Sequence, residues 1–268
     1  MSLIDKTILF VKEKLENAEG GHDWFHIERV YKNAVLISKS ENCDQTVVKL
    51  GALLHDIADS KFHDGDESIG PKTARDFLEK EKVDEAIIQH VINIIENISF
   101  KGGNFEKKFH SKELEIVQDA DRLDAIGAIG IARTFNYGGF KKRVLYNPEI
   151  APNLKMNKEE YKNSESPTLN HFYEKLLLLK DKMNTETGKK IALERHNYME
   201  NFLSQFYAEW MERNKKVNQL GSLFMFYFPG NRAFLFSKNA VVPSLKSSVP
   251  NDFPKFRIST SYPFTPSL

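Results

Sequence analysis

Apolar residues recur with a helical period along most of this chain. Residues 3–18 place Ile4, Ile8, Val11 and Leu15 close to 3.6 positions apart, which is typical of an amphipathic helix. Further helices are predicted after the N-cap type residues Asp23 and Asp44, and over residues 71–81, 84–98, 112–135, 168–183 and 187–213. A loop-rich stretch is predicted over residues 137–166. No β-hairpin signal appears before residue 213, so this part of the chain is predicted to be helical.

The last part of the chain has a different composition. Residues 217–268 hold six of the ten prolines and are rich in serine and phenylalanine, without a helical period. Short strands, a partner-binding tail and an anomalous terminus are all compatible with this pattern. We therefore predict a helical domain over residues 1–213 and an irregular appendage over residues 214–268.

Net charge and cysteine content narrow the class of protein. Lysine and arginine total 38 against 37 acidic residues, so no global field favours a nucleic acid polymer or a membrane. The single cysteine, Cys43, cannot form an internal disulfide, and the N-terminus lacks the length of a signal or membrane segment. A soluble, cytoplasmic protein is the expectation.

Histidine followed by aspartate occurs three times, at His22-Asp23, His55-Asp56 and His63-Asp64. Random placement predicts roughly 0.4 such dipeptides from this composition. His55-Asp56 follows the apolar stretch "GALL", which places it at the buried end of a predicted helix. A buried carboxylate beside an imidazole needs a partner, and a divalent metal satisfies both. A helix end with solvated charges is the alternative.

Two other regions carry similar groups. His22 and His26 lie one helical turn apart, and His26, among apolar neighbours, is the better candidate for an inward-facing ligand. Asp119, Asp121 and Asp124 interrupt an apolar stretch, where carboxylates are costly unless they are paired or bound to metal. A structural salt-bridge network is the other interpretation of these aspartates.

The order His26, His55-Asp56, Asp121 resembles the HD-domain superfamily of metal-dependent phosphohydrolases. The stretches "GHDWFHIERV", "ALLHDIADSKFHDGDE", "ISFKGG" and "VQDADRLDAIGAIGIAR" are similar to small bacterial HD hydrolases of the YedJ and YpgQ type. The resemblance covers about residues 3–213 and excludes the tail. It implies an all-α helical bundle with a metal site between central helices.

The resemblance implies that His26, His55, Asp56 and Asp121 are the metal ligands. Two imidazoles and two carboxylates suit a divalent ion, with Mn²⁺ favoured and Co²⁺, Ni²⁺, Fe²⁺, Zn²⁺ or Mg²⁺ as alternatives. Water and a phosphate oxygen would complete an octahedral shell.

Related enzymes place acidic residues for proton transfer shortly after the HD pair, which implies Asp59 and Asp64 here. Asp59 ranks first because it lies one helical turn after His55, whereas Asp64 has a simple turn role as an equal alternative. Asp124 is expected to hold Arg122 or a ligand histidine.

Phosphate also needs cations, and the candidates are Lys61, Lys101 and Arg122. Each could instead be a surface residue or a structural ion pair, and Arg29 could pair with an aspartate. The expected activity is hydrolysis of a small phosphorylated substrate, with nucleoside triphosphate pyrophosphohydrolysis considered first. A non-catalytic nucleotide-binding or regulatory HD module is the alternative.

Overall fold

The computed structural model describes residues 1–16, 23–58, 66, 68–98, 109–156 and 164–210, and the backbone of residues 223–228 and 232–237. Short polar side chains set the helix starts. The Asp23, Asp44 and Asp84 carboxylates each accept a backbone N–H from the first turn that follows, which confirms the N-cap predicted at Asp23. The helices are α1 (Leu3–Lys14), α2 (Trp24–Ser38), α3 (Gln45–Leu54), α4 (Ile69–Lys80), α5 (Glu85–Asn97), α6 (Lys112–Asp124), α7 (Gly127–Phe140), α8 (Asn170–Glu174) and α9 (Glu186–Trp210).

The predicted continuous helix over residues 112–135 is wrong, because the structure breaks it into α6 and α7. The N–H groups of Ala125 and Ile126 donate to the carbonyls of Arg122 and Leu123, which closes the last turn of α6 tightly. Gly127 then adopts a φ of +76°, which a side chain would make unfavourable. This turn lets α7 fold back beside the end of α6.

The predicted helix over residues 168–183 is also interrupted. Lys175 has φ −143° and ψ −57°, so the chain forms α8 and then a separate 3₁₀ segment, Leu176–Lys182. The predicted loop from residue 137 starts later, because α7 continues to Phe140. The interruption at Lys175 and the later end of α7 leave the predicted helical class unchanged.

Helices α2, α3 and α6 form the centre of the helical unit. Helix α2 packs against both α3 and α6, and α3 also packs against α5 and α6. Fully buried aliphatic side chains fill the interior, among them Val30, Leu53, Leu54, Ile94, Ile116 and Leu123. The all-α prediction is therefore confirmed for the part of the chain up to Trp210, where the described residues contain no strand.

The C-terminal part contains two strands, β1 (Leu223–Phe228) and β2 (Arg232–Ser237), paired antiparallel from Leu223 opposite Ser237 to Phe228 opposite Arg232. Short strands were one of the sequence alternatives for this region. Contacts divide the chain into two units, with Met1–Arg213 in the larger. The domain division stays a prediction. Among the described residues, no helix combines the length and apolar character needed to cross a bilayer.

Candidate metal centre

Three side chains with metal-binding atoms meet where α3 ends. His26 lies in the first turn of α2, and His55 and Asp56 follow directly after Leu54, the last residue of α3. One ligand atom from each of His26, His55 and Asp56 lies within 4.8 Å of the others. Because the helix ends here, adjacent residues His55 and Asp56 can approach the same point.

Asp121, in the last turn of α6, completes the cluster. Its Oδ1 atom lies 3.6 Å from His26 Nε2 and 3.9 Å from His55 Nε2. The two imidazoles are almost fully buried, whereas the Asp121 side chain is 41% exposed. The cluster therefore reaches solvent on the Asp121 side. Its role in holding a metal stays a prediction that we take up below.

Hydrogen bonds fix the orientation of both imidazoles. His55 Nδ1 lies 2.9 Å from the Ala52 carbonyl oxygen, which can only accept, so Nδ1 carries the proton. Burial lowers the pKa of His55 below its ordinary value and keeps the ring neutral. His26 Nδ1 lies 2.7 Å from Asp124 Oδ2 and donates to that carboxylate. Nε2 of each ring lies on the Asp121 side, 3.6 Å (His26) and 3.9 Å (His55) from Oδ1.

Asp124 is held by four donors. Besides His26, Arg29 donates through Nε (2.5 Å) and Nη2 (3.0 Å), and Arg133 donates through Nη1 (2.6 Å). Burial opposes ionisation, but the hydrogen bonds from His26 and Arg29 outweigh it and hold the pKa of Asp124 well below its ordinary value. The charged carboxylate thus orients His26, as carboxylates behind metal-binding histidines do.

The donor set fits a divalent ion. Nitrogen and oxygen ligands lie about 2.0–2.2 Å from such an ion, so two ligand atoms can be up to about 4.2 Å apart. The separations of 3.6 and 3.9 Å from Asp121 Oδ1 to the two Nε2 atoms satisfy this limit, and the ligand atoms of His26, His55 and Asp56 lie within 4.8 Å of one another. Two imidazole nitrogens and two carboxylates are ligand types that Mn²⁺, Zn²⁺ and similar ions accept.

The residues predicted for phosphate binding and proton transfer are not part of the described cluster. Arg122 donates to the Lys182 carbonyl at 2.7 Å and to Asp119 Oδ1 at 3.3 Å, so it is engaged away from Asp124. Its role in phosphate binding stays a prediction. Asp59, Asp64, Lys61 and Lys101 lie outside the described residues.

Asp119 has a structural role. It is fully buried and accepts the backbone N–H groups of Asn184 and Thr185 and the Thr185 hydroxyl, directly before α9. Burial raises its pKa, although these hydrogen bonds oppose the shift. The salt-bridge interpretation therefore applies to Asp119, which pairs with Arg122, and to Asp124, which pairs with Arg29 and Arg133, whereas Asp121 lies in the cluster.

Sequence reasoning missed Arg133. This residue lies nine positions after Asp124, and only the turn at Gly127 brings its guanidinium back to that carboxylate. An uninterrupted helix would carry Arg133 about 13 Å along its axis from Asp124. The glycine within "AIGAIG" was the available signal, and it was interpreted as part of a continuous helix.

The chain is similar in sequence and structure to known proteins that contain an HD domain. The family model "HD domain" matches residues 24–126. Bacillus subtilis YpgQ is 39% identical over 197 residues, covering 73% of this chain and 88% of YpgQ. A crystal structure of an HD-superfamily hydrolase from Bacillus thuringiensis is 47% identical with a TM-score of 0.63, covering 78% of this chain and 97% of that chain. The crystal structure of YpgQ in complex with ADP gives a TM-score of 0.60 at 34% identity, covering 77% of this chain and 94% of that one.

Proposed function

This chain belongs to the HD-domain superfamily of hydrolases, and we propose that it is a metal-dependent phosphohydrolase that acts on nucleotides. The observation that carries the proposal is that Asp121 Oδ1 lies 3.6 Å from His26 Nε2 and 3.9 Å from His55 Nε2, while ligand atoms of His26, His55 and Asp56 lie within 4.8 Å of one another. HD domains bind divalent metals, and this cluster is the candidate site. Mn²⁺ is our first choice of ion.

The proposed reaction gives each residue of the cluster a distinct role. His26, His55, Asp56 and Asp121 hold the ion, which, when bound, lowers the pKa of a water and neutralises charge on the phosphoryl group. Asp124 and the Ala52 carbonyl keep both rings in the tautomer that binds metal. The exposed side of Asp121 would give substrate a route to the ion.

The reaction consumes one water. Its oxygen forms a bond to phosphorus, the bond from phosphorus to the leaving oxygen breaks, and the water proton passes to an acidic group. We assign that proton transfer to Asp59, with Asp64 as the second candidate, because both follow the HD pair closely. Lys61 and Lys101 are proposed to contact phosphate.

The nucleotide part of the proposal rests on similarity. The YpgQ chain in the crystal structure with ADP is 34% identical to this chain. We propose that this chain likewise binds a nucleotide and hydrolyses a phosphoanhydride bond, and hydrolysis of a nucleoside triphosphate to a monophosphate and pyrophosphate is the activity we test first. A nucleotide-binding module without turnover is the alternative.

A substrate screen tests the proposal. The full chain is incubated with deoxynucleoside and nucleoside triphosphates, monophosphates and sugar phosphates, each with Mn²⁺, Co²⁺, Ni²⁺, Zn²⁺ or Mg²⁺, and released phosphate and pyrophosphate are measured. We expect pyrophosphate from a triphosphate with Mn²⁺, and loss of that activity in His55→Ala. The matched control is His110→Ala, because the His110 side chain is 65% exposed and lies outside the cluster. Tight nucleotide binding without turnover on any metal would instead identify a binding module.

A further inference from the structure

A turn with three consecutive cations follows the C-terminal end of α7. Lys142 has a φ of +55°, and the next N–H, that of Arg143, donates to the carbonyl of Gly138 at 2.9 Å. This pattern ends a helix with one residue in the left-handed conformation, a position that glycine usually occupies. Here a lysine occupies it, between Lys141 and Arg143. We call residues 137–145 the basic turn.

The cations of the basic turn have no acidic partner in the described part of the chain. Lys141 and Lys142 are exposed and Arg143 is half-buried, and none of them forms an ion pair with a described carboxylate. Lys141 Nζ instead lies 5.8 Å from the centre of the Tyr137 ring and 5.6 Å from that of Phe140, and Arg143 lies 5.7 Å from the Tyr137 ring. The turn itself contains no acidic residue, so its charge is concentrated.

Positive charge also reaches the buried ring of His171. Burial, first, and then the charges of Lys175 and Arg143 lower the pKa of His171 to about 3. Arg143 belongs to the basic turn and Lys175 follows α8, so cations from two elements act on one ring. The local potential is thus positive although the chain as a whole is nearly neutral, with 38 basic and 37 acidic residues.

Apolar side chains beside these cations are exposed. The exposed fractions are 62% for Phe140, 58% for Val144 and 55% for Leu145. Single exposed apolar residues are common, but a group of them around three cations is typical of an interaction surface. The half-exposed Trp210 extends this surface, because its ring lies 5.1 Å from that of Tyr146, the residue after Leu145.

The basic turn lies at the far end of α7 from the metal cluster. Helix α7 starts at Gly127, beside the end of α6 that carries Asp121, and its 14 residues extend for about 20 Å. The surface is therefore separate from the candidate metal centre, and its partner is independent of the proposed function.

Charge and chemistry select among the possible partners. A second copy of the chain would bring three more cations against the first three. A nucleic acid strand stacks its bases on open aromatic faces, whereas Lys141 and Arg143 both lie over Tyr137. The aliphatic side chains of Val144 and Leu145 also have no partner in a sugar–phosphate backbone. An anionic bilayer matches both features, since its phosphates attract the cations and its interior accepts apolar groups.

We propose that the basic turn binds the surface of an anionic lipid bilayer. Its cations pair with headgroup phosphates, while Phe140, Val144 and Leu145 enter the boundary between headgroups and acyl chains. Each cation near such a surface strengthens binding about fivefold. Three cations and a few apolar side chains give a reversible attachment of the chain to a membrane.

Flotation of the full chain with vesicles tests the charges of this surface. The vesicles contain phosphatidylcholine alone or phosphatidylcholine mixed with phosphatidylglycerol, at low and at high salt, and the bound fraction is measured against lipid concentration. The charge variant is Lys141→Gln/Lys142→Gln. Its control is Lys189→Gln/Lys190→Gln, which removes two consecutive exposed lysines from α9.

A second variant tests the apolar part. Leu145→Ser is compared with Leu193→Ser, because Leu193 on α9 is exposed to a similar extent, 53%. Thermal melting shows whether each variant is folded before its binding is compared with wild type.

We expect wild type to bind vesicles that contain phosphatidylglycerol, to ignore phosphatidylcholine alone, and to bind more weakly as salt rises. The charge variant should bind about thirtyfold more weakly and Leu145→Ser about fivefold more weakly. Both controls should stay within about twofold of wild type.

Several results would overturn the proposal. These are no binding of wild type to anionic vesicles, undiminished binding in both turn variants, and equal losses in the turn variants and their controls. Tighter binding to a single-stranded oligonucleotide than to anionic vesicles would make the partner a nucleic acid. A dimer in light scattering that Leu145→Ser dissociates would make the surface a contact between copies of the chain.

Discussion

Replacing Asp124 by asparagine removes the charge that holds His26 and keeps nearly the same volume. The carboxylate accepts from four donor atoms on His26, Arg29 and Arg133. An asparagine has one accepting oxygen, and its amide NH₂ would have to face a donor. The substitution therefore releases either the imidazole or at least one guanidinium.

Two magnitudes follow from this loss. Removing the group behind a metal-binding histidine typically weakens metal affinity by about 10–100-fold, or about 1.4–2.7 kcal/mol. Removing one partner of a buried ion pair costs about 3–5 kcal/mol of folding free energy. Since the Arg29 and Arg133 side chains are 32% and 26% exposed, solvent screens part of that cost, and we expect a loss of about 3 kcal/mol.

Titration calorimetry with Mn²⁺ and urea unfolding of the metal-free protein measure the two effects separately. The matched control is Asp181→Asn, because this aspartate is 73% exposed and contacts only its neighbour Lys180 among the ion pairs of the described residues, at 3.0 Å. The control should change neither quantity by more than about 0.5 kcal/mol. Wild-type metal affinity and stability in Asp124→Asn would refute the reasoning.

Three further predictions concern the scaffold. Gly138→Ala should lower the free energy of unfolding in urea by about 2 kcal/mol, because the new Cβ would lie 2.2 Å from Thr168 Oγ1. The control Gly139→Ala adds its Cβ to open space and should be neutral or slightly stabilising. Equal effects of the two substitutions would contradict the packing at Gly138. Burial and two neighbouring cations lower the pKa of His171 to about 3, below its value of about 6.5 in the unfolded chain, so the unfolded state binds more protons and stability falls as pH drops below about 6.5. The loss should reach about 2 kcal/mol at pH 5 and shrink in His171→Asn, and an unchanged pH slope in that variant would refute it. Asp119→Ala should lower the free energy of unfolding by about 3 kcal/mol, since the N–H groups before α9 lose a buried acceptor, while Mn²⁺ affinity changes less than in Asp124→Asn; a near-neutral result would exclude the capping role.

The sequence predicts the helical class and the cluster because both depend on local patterns. Amphipathic periods and N-cap residues mark the helices, and the burial cost of His55-Asp56 indicates a polar partner before any contact is known. The family resemblance extends this to His26 and Asp121 through motif order. Each of these positions lies in a recognisable local motif, although the motifs are far apart in sequence and meet only in the folded chain.

The network behind the cluster could not be predicted in this way. The partners of Asp124 depend on the φ of one residue, Gly127, and helical periodicity does not determine a backbone dihedral. Arg122 looked equally suited to Asp124, but its guanidinium reaches the Lys182 carbonyl because the 3₁₀ segment ends there. Contacts of this kind, between elements distant in sequence, can be predicted only once the packing of the helices is known.

Metal content gives the most direct test of the central claim that this cluster holds a divalent ion. The full chain is loaded with Mn²⁺, freed of unbound metal and measured by inductively coupled plasma mass spectrometry, together with His55→Ala, Asp121→Ala and the control His110→Ala. We expect about one ion per chain in wild type and control, and strong depletion in the two cluster variants. Full occupancy in both His55→Ala and Asp121→Ala would contradict it.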